Sequence, residues 1–223
     1  MPLLFDIDGT LLHGHGVGRR AVETSLAAWL GRPIDTSAVS FSGKTDPQIF
    51  REILSTTEIV GTVPDDLDAA MRLATAAYAR DMTERLASAE VEALPGAVSL
   101  VQRLAATGHP MGLLTGNLEP LAYLKLNRIG LGVEFPFGAF GSDAEDRDHL
   151  PLVAAERAST HFGRSVAPSE FVLIGDTPRD VQAAKAVGAR CVAVTTGRYD
   201  ADALGDADAV LDSLDAFDVD AWT

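Results

Sequence analysis

The 223 residues carry 32 acidic against 18 basic side chains, a formal net charge of −14, with 47% hydrophobic and 22% charged residues. That length suits one α/β domain with a small insertion, and the charge argues against nucleic acid or an anionic membrane surface as the main partner. No apolar run approaches the roughly 20 residues of a membrane span, the lone Cys191 excludes an internal disulfide, and the absence of a leader-like start makes a cytoplasmic location the expectation.

The chain opens on a short apolar run, Pro2-Leu3-Leu4-Phe5, the pattern of a buried parallel strand. Asp6-Ile7-Asp8-Gly9-Thr10 follows directly. Side chains at i and i+2 of a strand point the same way, so Asp6 and Asp8 can lie together at the strand's carboxyl end. In open α/β sheets that edge binds ligands. Paired carboxylates are kept where a cation sits between them, or where one is ionised and the other protonated. Either state serves phosphoryl transfer; the plain alternative is a solvated Asp-Gly turn.

From residue 14 to about 90 the pattern is helical. Residues 19–30 are amphipathic and stop at Gly31, residues 46–54 form a short helix, and residues 64–90 the longest. Asp65 and Asp66 fall in its first turn, where the dipole favours negative charge. No strand pattern interrupts this stretch, so an insertion over 14–90 is expected. Within it, Lys44 is either a ligand for an anionic substrate or a solvated lysine. His13 and His15 are either a metal pair or, more simply, loop residues. Arg19 and Arg20 either face a cleft or merely open a helix.

Strands and helices then alternate. A helix runs from Leu94-Pro95-Gly96 to Gly108, a strand covers 110–115, and a helix follows to Gly130 with Asn117 as its expected cap. A strand over 135–140, a helix over 150–162, a strand over 171–175 and a helix over 178–187 come next. Strands at 190–195 and 209–211 close the series. This alternation implies right-handed crossovers and a doubly wound parallel sheet. Thr115-Gly116-Asn117 ends one strand and suits a phosphate cradle, with a hydroxyl, a close-approach glycine and free N–H groups; a strand-to-helix turn is the alternative. Asp176 directly follows a buried strand, well placed to hold a metal. Thr177-Pro178-Arg179-Asp180 fits a capping box, which explains Asp180 but not Asp176.

Taken in order, Asp6-x-Asp8-Gly9-Thr10, Thr115 with Gly116 and Asn117, and Gly175-Asp176-x-x-x-Asp180 resemble the first, second and fourth motifs of the haloacid dehalogenase-like (HAD) superfamily. The helical insertion resembles its type-one cap. The third motif departs from the pattern. Relatives carry a lysine there, whereas residues 141–151 hold none; a gap-free comparison puts Glu145 at that position. Arg147 is the one cation in the stretch, either a substitute whose fork suits phosphate or a loop residue paired with Asp146 or Asp148.

The resemblance implies a Rossmann-like α/β core over 1–13 and 91–223, a helical cap over 14–90, and Mg²⁺ held by Asp6, the Asp8 carbonyl, Asp176 and Asp180. It implies Asp6 as nucleophile, Asp8 as general acid and base with a raised pKa, and Thr115 and Arg147 as partners of the phosphoryl group. Gly116, Asn117 and Lys44 become candidate substrate ligands. The expected activity is a phosphatase of a small phosphorylated metabolite, similar to phosphoglycolate phosphatases, acting as monomer or homodimer. A phosphomutase similar to β-phosphoglucomutase and a catalytically silent binding module are the alternatives.

Overall fold

The computed structural model describes residues 1–55 and 66–222. Its centre is a six-stranded sheet of β1 (Leu3–Phe5), β4 (Met111–Thr115), β5 (Gly138–Phe140), β6 (Val172–Gly175), β7 (Arg190–Val194) and β8 (Ala209–Leu211). The strand order is β5-β4-β1-β6-β7-β8 and every pairing is parallel. Leu3, Leu4 and Phe5 are fully buried because β1 lies in the middle of the sheet with both faces covered. Leu3 aligns with Met111 on one side and Val172 on the other. The residues that follow β1, β4 and β6 therefore emerge side by side. The chain leaves β1 towards β4 but leaves β6 towards β7, so the crevice beyond β1 and β6 is the topological switch point.

Helices α4 (Ala97–Ala106), α5 (Glu119–Arg128), α6 (Leu150–Phe162) and α7 (Pro178–Ala186) cover the sheet, and α8 (Val219–Trp222) ends the described chain. Leu3, Phe5, Leu100, Leu113 and Ile174 belong to the core on one face; Leu4, Leu114, Ala154, Phe171 and Leu173 belong to that on the other. Residues 64 and 65, expected to open the longest inserted helix, lie outside the described residues. That helix, α3, runs Leu67–Leu86 with the Asp66 side chain accepting from the Asp68 N–H. It packs with α1 (Val17–Leu30) and α2 (Asp46–Leu54) around Leu26, Phe50, Ala74 and Tyr78. Leu118 and Leu121 belong to the same apolar cluster, so this helical layer is seated on α5. None of the described helices is long and apolar enough to cross a membrane.

Two expectations change. The inserted region is flanked by a short antiparallel ribbon, β2 (Leu12–His13) with β3 (Glu92–Ala93), which ties the outgoing and returning chains together. Two-residue strands this far apart in sequence carry no periodic signal. Asn117 does not cap α5: the N-cap position is Leu118, without a side-chain cap of its own. The Leu118 N–H is taken by the Asp46 carboxylate at 3.0 Å and the Glu119 N–H by the Ser142 hydroxyl at 3.3 Å.

Candidate active site

Three buried acids meet at the switch point. Asp6 follows β1, Asp176 follows β6, and Asp180 lies in the first turn of α7. One carboxylate oxygen from each lies within 4.8 Å of the other two. Asp180 is fixed by the capping box read from sequence: Thr177 caps its N–H, and its Oδ2 accepts from the Thr177 N–H at 3.0 Å and hydroxyl at 2.7 Å. Asp176 accepts from the Thr10 hydroxyl at 3.3 Å. Gly9, at φ +88°, and Gly197 lie so close to the Asp176 carboxyl that a Cβ on either would overlap it.

The charge is answered by Arg147, which is 3% exposed. Its Nη2 bonds Asp180 and lies 3.2 Å from Asp6 Oδ2. The local alternative is thereby set aside: Asp146 instead caps the Asp148 N–H and Asp148 accepts from Gln182. Burial would lower the proton affinity of Arg147, but Asp180 and Asp6 outweigh it and the guanidinium stays charged. Its Nε is buried without a hydrogen-bond partner among the described residues. Glu145 turns away to pair with Arg51 of α2 at 2.5 Å.

Burial pushes Asp6 up to about 6 despite the opposing Arg147, with Asp180 and Asp8 adding to the rise. Asp176 is raised well above the ordinary carboxylate range by burial, then by Asp180 and Asp6. A small oxygen-seeking divalent cation suits this donor set, because three crowded carboxylates facing one guanidinium leave uncompensated negative charge.

Asp8 stands apart from that cluster. Its side chain is 46% exposed and both oxygens contact Lys125 Nζ, at 2.8 and 2.6 Å. The expected raised pKa is therefore corrected. Desolvation pushes Asp8 up, but attraction and hydrogen bonding from Lys125, with Asn117 added, leave it below the usual carboxylate range. Asn117 donates to Asp8 at 2.7 Å and to Thr115 Oγ1 at 2.8 Å, and accepts from Lys125 at 2.6 Å. Thr115 is fully buried, and its own O–H donates to no described residue.

The inserted layer closes over these groups. Asp46 N–H bonds the Gly116 carbonyl at 2.8 Å, the Thr45 hydroxyl bonds the Glu145 carbonyl at 2.6 Å, and Arg147 Nη1 reaches the Gly43 carbonyl at 3.5 Å. The close approach that Gly116 permits is used by the Lys44 carbonyl, which a Cβ would strike. The Lys44 ammonium is not brought to the acids; it pairs with Glu52. Arg19 bonds Thr36 and Val39, and Arg20 the His15 carbonyl, so both brace the inserted layer. His13 and His15 face each other, Nδ1 to Nδ1 at 3.2 Å, and the three-acid group is the one metal-competent cluster among the described residues.

A family profile described as haloacid dehalogenase-like hydrolase matches residues 3–194. The chain belongs to the haloacid dehalogenase-like hydrolases. It is 30% identical over 201 residues to phosphoglycolate phosphatase 1 of Pseudomonas aeruginosa, covering 87% of this chain and 69% of that protein. It is 29% identical over 212 residues to the validoxylamine A 7′-phosphate phosphatase of Streptomyces hygroscopicus, covering 95% and 92%. Among solved structures, a β-phosphoglucomutase of Clostridium difficile shares the fold at a TM-score of 0.74 and 20% identity, over 99% of this chain and 94% of that one. HAD membership accounts for three strand-end motifs meeting at one edge and for the helical cap above them.

One functional candidate, Lys125, escapes a reading by motif. Lys125 lies on the stripe Leu118, Leu121, Ala122, Lys125, Leu126, spaced three, one, three and one. A lysine in register with that apolar stripe is the available signal.

Proposed function

We propose that this HAD hydrolase is a phosphatase of small phosphorylated metabolites that works through an aspartyl-phosphate on Asp6. The observation that carries the reading is the buried triad of Asp6, Asp176 and Asp180 around Arg147, whose Nε–H has no acceptor among the described residues. A buried donor of that kind is costly unless an anion completes it. The Thr115 hydroxyl, which donates to no described residue, offers a second donor on the same sheet edge.

Mg²⁺ would be held by Asp6, Asp176 and Asp180, with the Asp8 main-chain carbonyl, and would supply Lewis-acid neutralisation of the phosphoryl oxygens. The remaining chemistry belongs to the chain. An ionised Asp6 oxygen forms a bond to phosphorus as the bond to the leaving oxygen breaks, and Asp8 gives that oxygen a proton. Asp8 then takes a proton from water, whose oxygen attacks phosphorus; phosphate leaves and the Asp6 carboxylate is restored. Asp8 is ionised before substrate arrives; an incoming phosphoryl dianion raises its proton affinity by like-charge repulsion, and Asp8 takes from solvent the proton it then donates. Arg147 and the Thr115 hydroxyl face the charge that develops on the equatorial oxygens. The cap loop bearing Gly43 to Asp46 shields this step from bulk water and limits the substrate's size.

A panel of phosphorylated metabolites, assayed for phosphate release with Mg²⁺ and again with EDTA, tests this reading. Release from at least one small phosphomonoester, abolished by EDTA, is the expected result. No release from any member refutes it, and isomerisation of a sugar phosphate without release would make the protein a mutase.

A further inference from the structure

We propose that Lys125 is a positioning residue for Asp8, holding its carboxylate in the orientation that hydrolysis requires; this rests on the phosphatase reading above. Lys125 has three N–H donors, and all three are spent at one point, on Asp8 Oδ1, Asp8 Oδ2 and Asn117 Oδ1. Asn117 closes the triangle by donating to Asp8 Oδ2. The clamp thus grips both oxygens of a side chain that is half open to the cleft, while the lysine itself is 4% exposed.

Stability alone does not account for it. Lys125 occupies a position on the buried stripe of α5 between Ala122 and Leu126, where an apolar side chain would bury without desolvating an ammonium. Apart from Asn117, no other described residue hydrogen-bonds the Asp8 carboxylate: Arg147 serves Asp6 and Asp180. Asp46 of the cap also feels the ammonium, but it is bonded to the Leu118 N–H and to Tyr78. An acid–base group must sit within hydrogen-bond reach of the oxygen it serves, and a displacement of about 1 Å costs about a hundredfold in rate. A short, partly exposed carboxylate is free to change rotamer. The lysine and Asn117 remove that freedom.

Lys125→Met keeps the length and burial of the side chain and removes the clamp. Steady-state kinetics on p-nitrophenyl phosphate with Mg²⁺ suits the test, because its leaving group departs without a proton and kcat can then report the water step. Wild type, Lys125→Met, Asp8→Asn and the double variant are compared. Lys125→Met should lower kcat at least about tenfold with KM changed less than about threefold. The double variant should match Asp8→Asn within about twofold, since the lysine acts through the aspartate. Lys125→Gln, which keeps an N–H for Asp8, should recover part of kcat and serves in place of Lys125→Met should that variant melt below the assay temperature.

Wild-type rates in Lys125→Met, a loss that multiplies with Asp8→Asn, a raised KM at unchanged kcat, or no recovery in Lys125→Gln would each overturn the positioning role. An active wild type with any of these results leaves the phosphatase reading standing. A wild type inactive on every phosphomonoester overturns that reading, and the role of Lys125 with it.

Discussion

Replacing Arg147 by Met separates its charge from its bulk. The guanidinium is almost wholly enclosed, bonded to Asp180 and 3.2 Å from Asp6, and Asp176 completes the group of acids around it. Removing one partner of a buried ion pair costs about 3–5 kcal/mol, because the remaining charge stays buried and unanswered. In a chain of this size each kcal/mol moves Tm by about 2–4 °C, so the metal-free variant should melt about 6–20 °C below wild type. Mg²⁺ at the proposed site would provide a second source of positive charge. At a hundredfold excess over its Kd it adds about 2.7 kcal/mol to either protein, and the gap should narrow with Mg²⁺ because the variant, its acids unanswered, binds the ion more tightly. Activity should not recover in parallel, because the Nε–H and Nη–H donors are gone; losing one such group costs about 10²–10³ in kcat. Thermal melts with Mg²⁺ and with EDTA, alongside kcat/KM on an aryl phosphate, provide the assay. Unchanged melting in EDTA together with wild-type turnover would return Arg147 to the status of a loop residue.

Three further outcomes are expected. Asp6→Asn should reduce aryl phosphate turnover to background while the metal-free protein melts no lower than wild type, since one of three crowded like charges is gone; retained turnover would remove Asp6 as nucleophile. Asp6 and Asp46 both keep their protons to about pH 6 in the folded chain, against about 4 for an exposed Asp. The folded state then binds more protons than the unfolded one across that window, so stability is lost as pH rises through it. The metal-free protein should melt higher at pH 5 than at pH 7, and the reverse order would contradict the burial argument. Gly116→Ala should loosen the cap, because its Cβ would meet the Lys44 carbonyl; faster proteolytic cleavage within the inserted region would report this, and unchanged cleavage would contradict the packing.

The parts of the site legible in the sequence are those where one local pattern carries all the information. β1 and β6 are apolar runs closed by an acid, and Thr177 with Asp180 is a capping box whose hydrogen bonds are internal to four residues. The parts that were not legible depend on partners distant in sequence. The β2–β3 ribbon joins residues on either side of the whole insertion. Asn117 has the composition of a helix cap, yet its amide is more usefully spent on Asp8 and Lys125 because Asp46 supplies the α5 N-terminus from the cap. Glu145 makes no sense as a replacement for a catalytic lysine until Arg51 of the cap is seen facing it. Lys44, the cap cation that the sequence offers to substrate, is neutralised by Glu52 one turn or two along α2.

In the proposed reaction Asp6 itself carries the phosphoryl group between substrate and water. Mixing the protein with Mg²⁺ and a phosphomonoester it hydrolyses, quenching in acid and reducing with borohydride converts an aspartyl-phosphate to homoserine, which peptide mass spectrometry locates. Homoserine at position 6, formed with substrate and absent from Asp6→Asn, is the predicted result. Turnover with an unmodified Asp6, or reduction at a different carboxylate, would contradict it.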